Sequence, residues 1–302
     1  MAIEVPGEPC DVRRFSHEAM ATVFEVHAVH PDARYAAQAA QAAFDLADGL
    51  ERELSRFIPN SDIGRVNLLS AGESTRVSPS TMECLAIARH VYDLTDGAFD
   101  VSIGTGLPSL ELDIDNFLVR ATDDGIRVDL GGIGKGFAVD LMADALEEWG
   151  LERALVHGGF SSVLVLEAPP GRDGWLLTLS DPGSPSRVLA RPAVRQTALG
   201  ASGLRKGDHI VDPRTRMPVR GRRAAWAAVP RREMAGSGEP GADVPKAAAA
   251  ADALATAFML LRPEDVDALC AQSPGLEAWI LPEPGEGREQ EPALLHFGAP
   301  RP

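Results

Sequence analysis

The chain has little cysteine, no long apolar run and a deficit of positive charge, and each of these argues against a class of protein. Its three cysteines, Cys10, Cys84 and Cys270, are far apart and form no metal-type pairing. This argues against a disulfide framework or a zinc site and favours a reducing setting. No stretch approaches the length of a membrane span, and the N-terminus lacks the charged start and apolar run of a secretory signal. We therefore expect a cytoplasmic protein without a membrane span.

The deficit of positive charge bears on the partners. The chain has 44 acidic and 29 basic residues, and its formal net charge is −15. An acidic surface argues against nucleic acid and anionic membranes as partners, so that local positive groups must meet any small anionic ligand. The 302 residues, 45% of them apolar, allow one large domain or two modest ones.

Residues 125–150 form the most informative stretch of the chain. Residues 125–130 alternate and include β-branched side chains, which predicts a strand. The glycine-rich turn 131–136 follows, and apolar residues at helical spacing predict a helix over 137–149 that Gly150 ends. A strand, a glycine turn and a helix start are together typical of an anion site, because glycines let the backbone approach a phosphate closely.

Two interpretations of this turn are open from the residues alone. Four glycines and Lys135 within six residues favour a bound anion, whereas a tight strand-to-helix connection needs no ligand. Neither familiar phosphate motif is present, because Gly136 stands where a P-loop has Ser or Thr and Phe137 stands where the dinucleotide fingerprint has a glycine. Any phosphate at this turn is therefore held in another way.

The rest of the pattern predicts an α+β protein, because strands and helices occur without strict alternation. We expect a flexible leader over 1–15, one domain over 16–281 and a Pro/Gly/Glu-rich, partly disordered tail over 282–302. Strands are predicted at 21–28, 98–103, 153–156, 162–166, 175–179 and 224–229, helices at 31–54, 61–67, from Ser78 or Ser80 to about Thr95, and at 247–261, an irregular segment at 104–124 and a mobile loop at 231–246.

Asp252 and Thr256 are the clearest pair of candidate metal ligands. They are four residues apart in the Ala-rich helix predicted over 247–261, so their oxygens share one face. A carboxylate and a hydroxyl are hard ligands of the type that Mg²⁺ takes. On spacing alone, a solvated aspartate and a threonine bonded back to the helix backbone are the simpler interpretation.

Two further groups have both a chemical and a structural interpretation. His209, within Asp208–Pro213, can act as an acid or base, or it can be a half-buried strand residue, which is the commoner role for a single histidine. Phe99, within Asp96–Asp100, can flank an aromatic ring system, but ordinary core packing is the simpler interpretation.

Short motifs follow one another in a fixed order along residues 16–262. They are Met20–Thr22, Ser55–Phe57, Ser61–Asn67, Thr95–Asp100, Asp129–Gly136 with Asp140, Gly158–Gly159, Ser202–Gly203, His209–Pro213 and Ala251–Thr256. In order and content they resemble the ApbE family, the Mg²⁺-dependent FAD:protein FMN transferases. No single motif is decisive, but this many in the right order is a specific signal.

The resemblance implies a bilobed α+β fold, related to the T-fold, with mixed sheets, packed helices and a ligand cleft between the lobes. It implies that the flavin and adenine sites are lined by Met20, Phe57, Ala98, Phe99, Asp100, Asp129, Lys135 and Ile210. It also implies Mg²⁺ ligands at Gly132, through its carbonyl, Asp252 and Thr256, and a catalytic role for His209.

The activity that the resemblance implies is cleavage of the FAD pyrophosphate, with FMN placed on a Thr or Ser of a partner protein and AMP released. Two alternatives are kept. One is a protein that binds FAD without catalysis, which the short connection between Ser202 and His209 favours and the intact Asp252/Thr256 pair disfavours. The other is a Mg²⁺-dependent FAD pyrophosphatase, in which water replaces the acceptor hydroxyl.

Overall fold

The structure is a computed structural model that describes residues 2–4, 12–204, 210–231, 246–284 and 293–298. In these ranges the helices are α1 Ala33–Leu54, α2 Asp62–Val66, α3 Pro79–Leu94, α4 Gly134–Glu148, α5 Ala247–Ala257 and α6 Pro263–Gln272, with 3₁₀ turns at Leu107–Ser109 and Leu130–Gly132. The strands there are β1 Ala2–Glu4, β2 Val12–Ala19, β3 Thr22–Val29, β4 Ser74–Arg76, β5 Leu110–Asp113, β6 Leu118–Ala121, β7 Ala154–Gly158, β8 Ser162–Val165, β9 Trp175–Asp181, β10 Ser184–Ala190, β11 Ala193–Val194, β12 Thr197–Gly203, β13 Val211–Asp212, β14 Met217–Pro218, β15 Arg222–Pro230, β16 Glu277–Pro282 and β17 Leu295–Phe297. The α+β class is confirmed.

An eight-stranded sheet carries the fold, in the order β17-β16-β15-β12-β8-β7-β3-β2. Every strand pairing among the described residues is antiparallel, so the sheets are not mixtures of parallel and antiparallel strands. Because side chains alternate along a strand, Phe24, Val26 and Ala28 of β3 enter the main core with the helices. The opposite face of the sheet packs on β9, through a second core that includes Trp175 and Leu177.

Helix α5 is the most enclosed helix of the fold. It contacts α3 and α4 on one side and β8, β12 and β15 on the other. Ten of its eleven residues are buried, and most of them are alanine. Small residues let backbones approach closely, and a Cβ added to Gly136 of α4 or to Gly200 of β12 would lie 2.1 Å from a carbonyl oxygen of α5.

Both ends of α5 are held by charged side chains from distant parts of the chain. The side chain of its own N-cap residue, Lys246, does not cap the helix. Instead, the Asp140 carboxylate accepts hydrogen bonds from the N–H groups of Ala248 and Ala249, at 3.0 and 2.8 Å. After the other end, Arg222 donates to the carbonyls of Phe258 and Leu261. A negative group at the N-terminus and a positive group at the C-terminus both match the helix dipole.

Several predicted elements are confirmed with shifted ends. The strand predicted at 21–28 is β3, the helix at 31–54 is α1, and the helix at 247–261 is α5 followed by a turn. Ser78 is the N-cap of α3, accepting from the Thr81 N–H at 3.1 Å. Gly150 ends α4 with a positive φ of 74°, as a C′ glycine does.

The predicted strands at 125–130 and 98–103 are wrong. In the first, the backbone hydrogen bonds of Val128 go to the Asn67 side chain, which donates to its carbonyl and accepts from its N–H at 2.9 and 2.6 Å. In the second, the Asp100 carboxylate accepts from the Ser102 and Gly104 N–H groups, which closes a turn. Side chains therefore replace ladder partners in both segments, a distant one in the first and a local one in the second.

The expected leader, tail and irregular segment are also more regular than predicted. Strand β2 begins at Val12, inside the expected leader 1–15, and β1 pairs with β9. Strand β17, inside the expected tail 282–302, pairs with β16. The segment 104–124 contains β5 and β6 of a three-stranded sheet with β4. The predicted mobile loop at 231–246 lies almost wholly outside the described residues.

Candidate active site

The carboxylate of Asp252 lies at the centre of the candidate site, where α5 meets α4 and β8. Its Oδ2 accepts hydrogen bonds from the Gly136 N–H at 2.9 Å and the Ser162 hydroxyl at 2.6 Å, and the Lys135 ammonium lies 3.8 Å away. Its Oδ1 is buried and has no hydrogen-bond partner within the described ranges. Burial raises the pKa of Asp252 to about 6, against the Lys135 charge, the Ser162 hydroxyl and the Gly136 N–H.

Thr256 lies one helical turn further along α5, on the same face. Its hydroxyl is 2.8 Å from the Ser202 hydroxyl and 3.3 Å from the Asp252 carbonyl, so a bond back to the helix backbone is indeed made. Gly132 approaches this hydroxyl from the glycine turn. A Cβ on Gly132 would lie 3.7 Å from the Thr256 hydroxyl and 3.2 Å from the Phe99 ring. The fold therefore brings Phe99, Gly132 and Thr256 together.

This group of atoms fits a hard divalent cation. Asp252 is only 5% exposed, so it is not the solvated aspartate that spacing alone favours. A buried carboxylate oxygen without a partner is costly unless something completes it. The nearby donors are oxygens, which are the ligands that Mg²⁺ takes. Hydrogen bonds to Oδ2 hold the carboxylate in one orientation and leave Oδ1 for an ion.

Residues of the glycine turn both pack against α5 and contact the candidate site. Gly136 is needed for packing, because a side chain there would collide with the Ala248 carbonyl of α5. Asp129 holds the turn itself, since its Oδ1 accepts from the Gly131 N–H at 2.9 Å. Lys135 extends from the first turn of α4 to within 3.3 Å of the Gly131 carbonyl. A positive side chain thus lies next to the positive end of a helix, beside Asp252.

Arg56 links Phe57 to this turn. Its Nε is 3.0 Å from Oδ2 of Asp129, and its guanidinium lies over the Phe57 ring, 4.5 Å from the centroid. The Phe57 ring is 79% exposed, so one face is available to a planar ligand while the other carries the cation. Arg56 belongs to the motif Ser55–Phe57, but its ionic partner, 73 positions away, was not predicted from the motif.

The remaining predicted residues are placed as follows. Ala98 and Phe99 are buried, and the Phe99 N–H donates to the Thr95 hydroxyl at 3.1 Å. Both carboxylate oxygens of Asp100 bind its own loop, through Ser102 and Gly104.

Two others lie close to elements of the site. Met20 has a positive φ in the turn between β2 and β3, and its methyl group is 3.9 Å from the Cβ position of Gly134. Ile210 is buried, and its carbonyl accepts from the Val219 N–H at 2.9 Å. His209 lies outside the described residues.

Ser162 is the site residue that sequence reasoning missed. It binds Asp252 across 90 positions of sequence, from a strand that looks apolar. No local signal marks such a contact. Ser202 was part of a recognised motif, but its bond to Thr256 was not predicted.

One surface groove lies apart from the candidate site. A groove of about 550 Å³, lined by Arg65, Leu68, Leu69 and residues 72–75, contains none of the predicted site residues. Among the helices of the described ranges, none combines the length and apolarity that a bilayer crossing requires.

The same fold occurs in solved flavin transferases. The Pseudomonas stutzeri flavinyl transferase ApbE, in its apo form, superposes with a TM-score of 0.78 at 20% identity, over 97% of this chain and 98% of that chain. The flavin transferase ApbE from Vibrio cholerae gives 0.77 at 20% identity, over 96% and 97% of the two chains. The Thermotoga maritima ApbE protein gives 0.78 at 21% identity, over 95% and 97%. The class defined here is therefore an α+β protein with the flavin transferase fold.

The chain belongs to the ApbE family, whose model matches residues 20–108 and 105–238. Curated relatives named FAD:protein FMN transferase are 26% identical in Rhodobacter capsulatus, over 202 residues, and 24% identical in Vibrio cholerae, over 259 residues. These matches cover 51% and 71% of this chain. They cover 36% of the Rhodobacter protein and 75% of the Vibrio protein, so the chain matches about a third of the former's length. The family resemblance and the fold inferred from the motifs are thus confirmed.

Proposed function

We propose that this protein transfers FMN from FAD to a Thr or Ser hydroxyl of a partner protein and releases AMP, in a Mg²⁺-dependent reaction. The observation that carries the proposal is the buried Asp252 carboxylate, with one oxygen held and the other without a partner, beside Lys135 and Thr256. The names of the two curated relatives supply FAD as the donor and a protein as the acceptor. The site supplies the reason why a pyrophosphate would bind there.

Different residues of the site would bind Mg²⁺, add positive charge and orient the Asp252 carboxylate. Asp252, Thr256 and the Gly132 carbonyl would hold Mg²⁺, which supplies charge neutralisation to the pyrophosphate when bound. Lys135 adds a second positive charge at the same place. Ser162 and the Gly136 N–H keep the Asp252 carboxylate oriented. Phosphoryl transfer depends mainly on such positioning and on electrostatics, so few protein groups are needed.

The flavin and adenine would lie along the surface formed by Phe57, Asp129 and the 98–100 loop. Phe57 offers its exposed ring for stacking, with Arg56 fixed behind it. Ala98 and Phe99 would line this surface beside the glycine turn, where the Phe99 ring lies 3.2 Å from the Cβ position of Gly132. Asp100 shapes the loop through its hydrogen bonds, so we expect its replacement to change binding through the loop backbone. Met20 and Ile210 would complete the lining.

The acceptor hydroxyl needs a base, and we assign that role to His209. An imidazole titrates near neutral pH and can take the proton of an attacking hydroxyl. The adjacent Ile210 is buried and hydrogen-bonded to Val219, which anchors the chain next to this histidine. Replacing His209 with Ala should slow transfer more than it weakens FAD binding. Equal effects on both would make His209 a binding residue only.

The test is an incubation with FAD, Mg²⁺ and a protein domain that carries an Asp-Gly-x-Thr acceptor motif, followed by intact mass. We expect the acceptor to gain one FMN, and we expect a chelator or Asp252→Asn to prevent the gain. Asp45→Asn, on the exposed face of α1, is the matched control and should transfer normally. Transfer that persists in Asp252→Asn would remove Asp252 from the metal site.

The same experiment separates the alternatives. AMP that appears without any acceptor would indicate a FAD pyrophosphatase. Bound FAD without AMP, in the presence of a competent acceptor, would indicate a binding protein.

A further inference from the structure

A second cluster of metal-ligand residues lies on the other face of the eight-stranded sheet. Glu25 and His27 alternate on β3 with the core residues Phe24 and Val26, so they point away from the helices. His157 joins them from the neighbouring strand β7, where it is the direct cross-strand partner of Glu25. The three residues are 6%, 2% and 1% exposed. They are buried, and they belong to neither hydrophobic core.

The ligand atoms of the triad are close enough to hold one ion. Oε2 of Glu25 is 2.9 Å from Nε2 of His157 and 3.1 Å from Nε2 of His27. One nitrogen of each ring and one carboxylate oxygen all lie within 4.8 Å of one another. In a tetrahedral zinc site with bonds of about 2.0–2.1 Å, neighbouring ligand atoms are about 3.3 Å apart. Two of the contacts already have nearly that length.

The environment of the triad shifts the pKa of each of its members. Burial lowers the pKa of His27 and of His157, against the Glu25 carboxylate. Burial alone would raise the pKa of Glu25, but hydrogen bonds from Arg14, His27 and His157 outweigh it and bring that pKa to about 2. A metal ion on Nε2 of a neutral imidazole requires the ring proton to be on Nδ1, so metal binding would change the tautomer of His27 and of His157.

Hydrogen bonding within the triad leaves it incomplete. Nε2 of each ring is hydrogen-bonded to Glu25. The Nδ1 atoms of His27 and His157 are buried, and neither has a partner in the part of the chain that the structure describes. Arg14 pairs with the other carboxylate oxygen, Oε1, and so orients Oε2 toward the two rings. Phe160 stacks on His157 at 5.3 Å, and Arg14 and Phe160 are both exposed. The triad is therefore only one side-chain layer below the surface.

We propose that Glu25, His27 and His157 form a second metal site, which takes a divalent transition-metal ion of the Zn²⁺ type. Two imidazoles and a carboxylate are donors that suit Zn²⁺ and related ions, whereas Mg²⁺ prefers oxygen. The ion links Glu25 and His27 of β3 to His157 of β7, near the turn of the β7–β8 hairpin. In that hairpin Gly158 pairs with Ser162, whose hydroxyl holds Asp252 on the opposite face. The site is thus structural and separate from the Asp252 site, and it does not depend on the proposed transferase activity.

The test uses untagged full-length protein, stripped of metal and titrated with Co²⁺, a visible-absorbing substitute for Zn²⁺. In the presence of excess Mg²⁺, which would fill the Asp252 site, we expect one Co²⁺ per chain with the absorption of a tetrahedral nitrogen-containing site, displaced by Zn²⁺. His27→Gln and His157→Gln should each abolish this absorption. Asp252→Asn should keep the absorption, because Asp252 is not a ligand of the triad and lies on the opposite face of the sheet.

His296→Gln is the matched control. His296 pairs with Glu277 at 2.8 Å on the surface, which gives one imidazole and one carboxylate, and the described ranges place no third metal ligand beside them. This variant should bind Co²⁺ as the wild type does. Absorption that survives both triad variants, or that is absent from the wild type, would overturn the proposal.

A crystal of the wild-type protein grown with Zn²⁺ decides the question if the triad variants fail to fold. An anomalous difference peak between Glu25, His27 and His157 would support the site. Zinc peaks only elsewhere would overturn it.

Discussion

Gly200 is the position where the smallest change should disturb the candidate active site most directly. It lies in β12 against α5, and an added Cβ would be 2.1 Å from the Ala251 carbonyl oxygen and 2.6 Å from the Asp252 nitrogen. Real Cβ contacts are essentially never shorter than 3.0 Å, so in Gly200→Ala the two backbones must separate by about 0.9 Å. Strand β12 is held by β8 and β15 on its two sides, so we expect α5 to move.

The cost of this movement can be bounded. Overpacking of a tight contact costs about 1–3 kcal/mol, and loss of unfolded-state freedom on replacing glycine returns about 0.4–1 kcal/mol. We therefore expect Gly200→Ala to lower the free energy of unfolding by up to about 2.6 kcal/mol, measured by urea denaturation. The shift falls on the backbone of Asp252, whose carboxylate accepts from the Ser162 hydroxyl at 2.6 Å. The proposed FMN transfer should therefore fall more than tenfold at temperatures where the variant is folded.

Gly49 provides the matched control, because it lies in α1 and a Cβ there would meet nothing within 4 Å. Gly49→Ala should leave turnover unchanged and raise stability by about 0.5–1 kcal/mol, as expected for glycine in a helix interior. If Gly200→Ala is as stable as the wild type and fully active, the close approach of α5 to β12 is wrong.

Two other predictions concern the groups that hold α5. Burial raises the pKa of Asp140 to about 7, against the N–H groups of Ala248 and Ala249 and the Lys246 charge. Because this value exceeds the unfolded value of 3.8, the folded state takes up the proton, and stability should fall as pH rises from about 4 to about 7. Asp140→Asn should flatten that slope in urea unfolding at several pH values, and an unchanged slope would assign it to other groups. Arg222→Met keeps the aliphatic length but leaves two carbonyls after α5 without their donor, so we expect a loss of about 1–3 kcal/mol by urea unfolding; a loss below about 0.5 kcal/mol would mean that water replaces the guanidinium.

Helix α5 shows which part of the site could be predicted from the sequence. The alanine run and the four-residue spacing of Asp252 and Thr256 predicted a helix with two oxygens on one face, and this is confirmed. The burial of Asp252 and its bonds to Gly136 and Ser162 were not predictable, because these partners are 116 and 90 positions away. Spacing reports the geometry of one helix, and it carries no information on what that helix packs against.

The segment 125–130 shows why an element can be predicted wrongly. Its alternation is real, since Ile126, Val128 and Leu130 are buried. However, a strand also needs a neighbouring backbone, and here the Asn67 side chain takes that place. Strand β2 is the opposite case. It is an edge strand with charged and polar side chains, which resemble those of a loop, and only its pairing with β3 makes it regular.

The glycine turn illustrates a different ambiguity. The sequence offered two interpretations, a bound anion or a tight connection, and the contacts show that the second is true for at least Gly136. A glycine needed for packing and a glycine needed for a ligand look the same in a sequence. Only the neighbouring atoms distinguish them.

The enclosure of α5 has a consequence for how the site is lost. A helix end normally frays, and amide hydrogens near it exchange with solvent through small local openings. In α5, Asp140 binds the first amides and Arg222 the carbonyls that follow the last turn, while the sheet and α4 cover both sides. We therefore expect the amides of this helix to exchange with deuterium mainly through unfolding of the whole domain. On that expectation, Asp252 and Thr256 keep their positions until the cooperative transition and lose them with it.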